Sequence, residues 1–397
     1  MLAKAVVENI VEIFNNGRYA DKVIERSLKL QKNRGATDRA FIAEYTYEMV
    51  RWWRLLMYCN DPSERKDDVS LWHALATLVY IKGLPLPHWD TLDDFDFQKV
   101  RNNYQKAMEQ PVIRESFPTW MDKLCSVELG KEQWHEQMVA LNEPANVILR
   151  TNTLKTTRPD LKRILDTQGM DVVESDLASH ALILEERQNV FGTDEFRDGL
   201  FEVQDAGSQL IGEFLQVEPG MRVVDACAGA GGKSLHMAAI MQNKGSLVAM
   251  DLEEWKLEEL RKRARRAGST IIQTRVIEGS KTIKRMVETC DRLLLDVPCS
   301  GLGVIRRNPD AKWKLSHEFI KTVQEEQAKI LTSYSRMVKP GGKLVYATCS
   351  ILPSENERQV EAFLAEFGNQ YVLEEQKTLY PSNGATDGFF MARLLKK

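Results

Sequence analysis

One short stretch, Asp225-Ala-Cys-Ala-Gly-Ala-Gly-Gly-Lys-Ser234, constrains this chain more than any other. An apolar pair, Val223-Val224, leads into the aspartate, and Leu235, Met237, Ala238, Ala239 and Ile240 continue beyond it as a helix. A strand, a glycine-rich turn and a helix bring backbone N–H groups and a helix N-terminus up to a ligand. Two nucleotide patterns fail here. A P-loop needs glycine at 227 and finds Cys227; the dinucleotide pattern Gly-x-Gly-x-x-Gly needs glycine at 234 and finds Ser234. An NTPase is therefore disfavoured. Asp251 closes a second apolar run, Leu247 to Met250, about twenty residues on, where an acid holds a ribose in such a unit. An adenosine ligand without a phosphate cradle points to S-adenosylmethionine. A tight turn in an ordinary α/β domain accounts for the loop alone equally well.

The rest of the C-terminal half supplies context. Strands are expected at 222–227, 246–250, 271–277, 291–296, 343–348 and 388–394. Helices are expected at 207–215, 233–242, 253–267, 316–338 and 354–367. This alternation predicts an α/β fold, a mostly parallel sheet with helices on both faces. Ligands of such sheets sit at the C-terminal strand ends. Asp225, Asp251, Asp296 and Thr348-Cys349 all fall at or just past those ends.

Upstream, residues 1–115 read as a helical domain, with Val6, Val7, Ile10, Val11 and Phe14 on one stripe. Thr37 is the expected cap of a later helix. Arg51 and Arg54 are expected on a solvated helix face. Residues 116–203 read as a small α+β segment, with strands at 147–152, 181–184 and 199–203 and a helix from Pro159 to Gln168. Arg150 and Asn152 share one face of their strand, either as RNA-positioning groups or as a surface pair at a sheet edge. Residues 204–397 form the α/β domain. The arginine-rich helix 253–267 reads first as a solvated face.

The chain has 397 residues and a formal net charge of −3, so any basic surface is local. It lacks an apolar run of about 18 residues, so no membrane span is expected. Its N-terminus lacks a signal-peptide pattern. Six cysteines, with no Cys-x-x-Cys pair, predict reduced thiols, a cytoplasmic protein and no metal site. A monomer is expected.

Two cysteines stand at successive strand ends, Cys299 in Asp296-Val-Pro-Cys-Ser300 and Cys349 in Ala347-Thr-Cys-Ser350. A thiolate adding to C6 of cytosine makes C5 nucleophilic enough to take a methyl from a sulfonium. Asp296 is placed to recognise N3 and N4 of the ring. The residues alone do not rank the two thiols. The target base must leave its stack to reach either.

These motifs, with Arg306-Arg-Asn-Pro-Asp310, Gln204-Asp-Ala-Gly-Ser-Gln209 and the closing Asp387-Gly-Phe-Phe-Met-Ala-Arg393, resemble the RsmB/Sun (Fmu) family of RNA cytosine-C5 methyltransferases. Leu149-Arg-Thr-Asn-Thr-Leu-Lys155 resembles that family's RNA-binding segment, and Thr37-Asp-Arg-Ala40 its NusB-like helical domain. The resemblance implies a Rossmann-like class I methyltransferase domain that uses S-adenosylmethionine on RNA, with small-subunit rRNA as the substrate. It implies Cys349 as the nucleophile and Cys299 as the group assisting product release. Cofactor contacts are expected from Cys227, Ala228, Gly229, Ala230, Gly231, Gly232, Lys233, Asp251, Ser280 and Asp296. RNA contacts are expected from Arg150, Asn152, Arg306, Arg307, Lys312 and Trp313, the last four in a basic, aromatic-bearing loop. With nothing appended after the Phe389-Phe390 strand, further recognition is expected from residues 1 to about 200. One departure stands out. Where the family usually carries Gly-Asp, this chain has Gly279-Ser280, a neutral partner, with Glu278 beside it. That departure motivates an alternative, a non-catalytic RNA-binding or assembly factor on a methyltransferase scaffold.

Overall fold

A computed structural model describes residues 2–30, 34–60, 68–85, 89–93, 95–384 and 386–397. The chain separates into two compact units, Met1–Glu143 with Ile305–His317, and Pro144–Val304 with Glu318–Lys397. The helices Thr119–Leu129 and Lys131–Ala140, grouped by sequence with the α+β segment, thus pack in the first unit.

The first unit is helical. Val6, Ile10, Met49, Leu56, Leu71 and Leu75 meet in one core, where Phe14 stacks on Trp53 at 4.1 Å. The expected cap at Thr37 is displaced by two residues: the helix Ala36–Arg51 has Gly35 at the cap position and no side-chain bond. Arg51 is not solvated. It is buried, pairs with Glu48 at 3.1 Å and donates to the Arg306 carbonyl at 3.1 Å. Arg54 is spent on the Phe117 carbonyl and on Thr119 Oγ1.

The second unit holds two sheets. The smaller contains β1 (Ile148–Thr151), β2 (Val172–Glu174), β3 (Ala181–Leu184) and β4 (Phe201–Val203), in the order β2-β3-β1-β4 and antiparallel throughout. The helix Arg158–Thr167 packs Leu161 and Leu165 against Leu149, Leu182 and Phe201. Thr157 caps it, and Pro159 is tolerated in the first turn.

The larger sheet contains β5 (Arg222–Asp225), β6 (Ser246–Asp251), β7 (Ile272–Val276), β8 (Cys290–Asp296), β9 (Val338–Thr348), β10 (Tyr371–Leu379) and β11 (Phe389–Lys396). Their order is β10-β11-β9-β8-β5-β6-β7. The pairs β5–β6, β6–β7, β5–β8 and β8–β9 are parallel, while β11 is antiparallel to both β9 and β10. The mostly parallel sheet is therefore observed. Both of its faces are apolar, one built from Val224, Leu293, Leu295 and Tyr346, the other from Val223, Leu294, Val345 and Met391. Strand order reverses between β5 and β8, and that crevice is where such sheets bind ligands.

Candidate active site

The glycine loop follows β5. Gly231 has φ +85°, and a Cβ there would sit 2.4 Å from Leu260 Cγ, so this close approach needs glycine. Gly229, at φ +52°, faces open space. Asp251, at the end of β6, reaches the loop: its Oδ2 accepts from the Gly229 N–H at 2.9 Å. Its Oδ1 accepts from the Glu253 N–H at 3.0 Å. Asp225 accepts from Ser234 Oγ at 2.6 Å through Oδ2. Its Oδ1 is buried with no partner among the described residues. Burial, with Asp296 nearby, pushes the Asp225 carboxyl up to about 7. An open loop, an acid at the next strand end and an unmet buried acceptor fit an adenosine-bearing ligand. Ser280 and Glu278 are both exposed at the end of β7.

Arg150 and Asn152 correct the sequence reading. Neither is a surface group, because β1 lies inside its sheet and both side chains are buried. Arg150 donates to Gln204 Oε1 and to the Gly232 carbonyl. Asn152 donates to the Gly199 and Ala267 carbonyls, each at 2.8 Å. Arg263 grips the loop through the Ala230 carbonyl at 2.8 Å and pairs with the buried Glu202 at 3.0 Å. Arg266 pairs with Glu202 as well. Two arginines of the supposedly solvated helix thus hold Glu202 of β4, and Arg263 also ties β4 to the glycine loop. Glu202 is not legible from sequence, since a lone polar residue in a short strand carries no pattern.

The stretch 306–313 also departs from expectation. Lys312 is fully buried, with its ammonium 2.6 Å from Asn142 Oδ1 and 3.2 Å from the carbonyls of Arg51, Glu115 and Ser116. Trp313 donates its indole N–H to the Val50 carbonyl at 2.7 Å and packs on the first core. Arg306 is buried too. These three are internal braces of the first unit and not groups offered to RNA. Arg307 is half-buried.

The candidate reactive groups gather at the ends of β8 and β9. Asp296 pairs with Lys233 at 2.6 Å. Burial works against it, but Asp296 and then Cys349 hold the Lys233 ammonium above its ordinary value. The Cys299 and Cys349 sulfurs lie 3.1 Å apart, and the Cys349 N–H donates to the Cys299 sulfur at 3.3 Å. The hydrogen bond with Cys349, together with burial, pushes the Cys299 thiol well above its usual value. Burial and neighbouring carboxylates do the same to Cys227. Behind the cysteines, Glu355 is fully buried. It accepts from the Ser300 N–H at 2.8 Å, from Ser350 Oγ at 2.7 Å and from Gln327 Nε2 at 3.0 Å. One carboxylate therefore fixes both cysteine loops. Gly303 approaches the Gly388 and Cys349 carbonyls so closely that a Cβ would lie 2.3 and 2.8 Å from them. Thr386 Oγ1 and the Asp387 N–H reach Asp205, which caps the helix Ala206–Phe214.

Comparison with known proteins decides the family. Residues 213–395 match the family described as 16S rRNA methyltransferase RsmB/F, and residues 117–191 match its ferredoxin-like domain. The chain is 32% identical over 323 residues to the probable ribosomal RNA small subunit methyltransferase B of Synechocystis sp., covering 76% of this chain and 72% of that protein.

The chain belongs to the RsmB/F family.

It is an S-adenosylmethionine-dependent rRNA methyltransferase. The crystal structure of PH0851 shares the fold over 100% of this chain and 97% of its own, with a TM-score of 0.82 at 23% identity. NSun6 from Pyrococcus horikoshii, solved with SFG, matches with a TM-score of 0.65 at 20% identity, over 71% of this chain and 99% of its own. Strands β1, β2 and β3 fall within the residues that match the ferredoxin-like domain, and Arg150 of β1 donates to the glycine loop.

Proposed function

We propose that this RsmB/F protein forms 5-methylcytosine in small-subunit rRNA through a covalent adduct on Cys349. The observation that carries the reading is the sulfur pair at 3.1 Å beside the Lys233–Asp296 ion pair. The Cys349 thiol gives its proton to solvent, its sulfur electron pair forms the bond to C6, and the ring's C5–C6 π electrons move toward C5 and the N3 side. Asp296 and Lys233 bind the polar edge of the ring, where that charge develops. S-adenosylmethionine supplies an electrophilic methyl group to the activated C5. The loop Cys227–Lys233 with Asp251, Ser280 and Asp296 would hold that cofactor. Elimination then restores the ring: the C5 proton leaves to a base, its electron pair reforms C5=C6, and the Cys349–C6 bond breaks. The bond with Cys349 and burial favour the protonated form of the Cys299 thiol, which would donate its proton to the departing sulfur and regain one from solvent. Arg307 is kept as an RNA contact in this reading, and the helical residues 1–115 as an RNA-binding, NusB-like part. A monomer in the cytoplasm is proposed.

The test is transfer of labelled methyl groups to small-subunit rRNA, followed by nucleoside analysis. Label in 5-methylcytidine, absent with Cys349→Ala, is the expected result. Label in another nucleoside would refute the chemistry. Failure of both methylation and cofactor binding would favour the scaffold alternative motivated by Ser280.

A further inference from the structure

Three side chains unused by this chemistry converge in the second unit. His180 lies in the turn before β3, Glu213 on the helix Ala206–Phe214 and His236 on the helix Gly232–Ile240. His180 Nδ1 is 3.2 Å from His236 Nε2 and 3.5 Å from Glu213 Oε1, and all three ligand atoms lie within 4.8 Å of one another. Zinc bonds to nitrogen and oxygen are about 2.0–2.2 Å long, and a tetrahedral shell of that size separates its ligand atoms by roughly 3.3–3.6 Å. The separations of His180 Nδ1 from His236 Nε2 and from Glu213 Oε1 fall close to that edge length.

The surroundings orient these groups as ligands. His236 is 1% exposed. Its Nδ1 lies against the helix Ala206–Phe214, near the Gln209 backbone, and a Cβ on Gly212 would come within 2.8 Å of it. Glycine at 212 makes room for the ring. An Nδ1–H tautomer leaves the Nε2 lone pair facing His180. Ser179 Oγ donates to Glu213 Oε1 at 2.7 Å, as an outer-shell group fixing a ligand carboxylate does. A metal needs neutral imidazole and ionised carboxylate. The Arg150 cation is unfavourable to a bound ion, and Glu213 supplies the compensating charge.

We propose that His180, Glu213 and His236 bind one divalent ion of the zinc class, which fastens the ferredoxin-like turn to the two helices flanking the cofactor loop. Two imidazoles and a carboxylate suit zinc or cobalt. The His180 and Glu213 side chains are each 26% exposed, which leaves a fourth position for water.

The test uses the full chain, prepared without a polyhistidine tag and stripped with chelator. Zinc is titrated by calorimetry and cobalt by visible absorption. One equivalent should bind, with no sulfur-to-cobalt charge-transfer band. Loss of an outer-shell partner alone costs roughly 10–100-fold in affinity, so His180→Asn and Glu213→Gln should each lose about a hundredfold or more. Because both side chains are partly exposed, the variants should melt with the stripped wild type. Added zinc should raise the melting temperature of the wild type only. No binding at millimolar ion, unchanged binding in both variants, or a thiolate charge-transfer band would each overturn the proposal.

Discussion

The sulfur of Cys299 lies 3.1 Å from the sulfur of Cys349, and the Cys349 N–H points to Cys299 at 3.3 Å. Cys299 is therefore both an acid next to the proposed nucleophile and an acceptor for its backbone. The two loops are held in register by Glu355, whose oxygens meet Ser300 on one side and Ser350 on the other. Glu355→Gln removes the charge and mismatches at least one donor. Methyl transfer should fall about tenfold to a hundredfold while cofactor affinity stays unchanged, because Glu355 serves the cysteines and not the cofactor loop. Single-turnover rates and calorimetric titration separate the two.

Asp296 and Lys233 form the charged wall of the site at 2.6 Å. Asp296→Asn keeps the shape but removes the charge. The rate should drop roughly 10²–10⁴-fold, the range typical for loss of a positioned acid–base or electrostatic group. Rates at saturating RNA and cofactor check this.

Arg150 provides a discriminating test between RNA contact and loop support. Arg150→Met removes the donor to the Gly232 carbonyl. Hydrogen bonds from charged groups are worth about 1.5–3 kcal/mol, so cofactor affinity should fall about 10–100-fold. RNA affinity measured without cofactor should not move. A fall in RNA affinity alone would restore the sequence reading.

Asp225 carries a pH signature. Burial raises its carboxyl from 3.8 to about 7 in the folded chain. An acid with a raised folded pKa binds more protons folded than unfolded, so it costs stability as pH climbs from about 4 through about 7, and the cost then levels off. Asp225→Asn abolishes that titration. Its stability relative to wild type should rise across this window by up to about 1.4 kcal/mol per pH unit and stay flat above it. Denaturant melts from pH 5 to pH 8 measure the difference.

Lys312 braces the first unit from its buried position. Lys312→Met would leave carbonyls at Arg51, Glu115 and Ser116 without this donor. Each unmet buried group costs about 1–3 kcal/mol, so calorimetric melting of the full chain should show a loss of roughly 3 kcal/mol or more.

The strands around the site were legible because each is a short apolar run ending in a polar group, and β3 follows the expected 181–184 without change. The glycine loop, the aspartates and both cysteines were legible as local strings. β10 was not. It is an edge strand, and Glu374, Glu375, Gln376 and Lys377 at its centre face water. Helix Ser280–Lys284 was missed because five residues give no periodicity. Arg150, Asn152 and Lys312 mislead because a cation or amide reads as surface until its acceptors are known, and those acceptors lie far away in sequence; the burial of Arg306 is likewise a tertiary property. The His180, Glu213 and His236 trio is illegible for the same reason: its members come from three separated elements and share no ligand spacing along the chain.

The central claim is a covalent step on Cys349 resolved with help from Cys299. The most direct measurement incubates Cys299→Ala with cofactor and small-subunit rRNA and then runs a denaturing gel. The account predicts a protein–RNA band that survives denaturation and disappears in the Cys299→Ala, Cys349→Ala double variant. A band that persists in the double variant, or full methylation by Cys349→Ala, would contradict it.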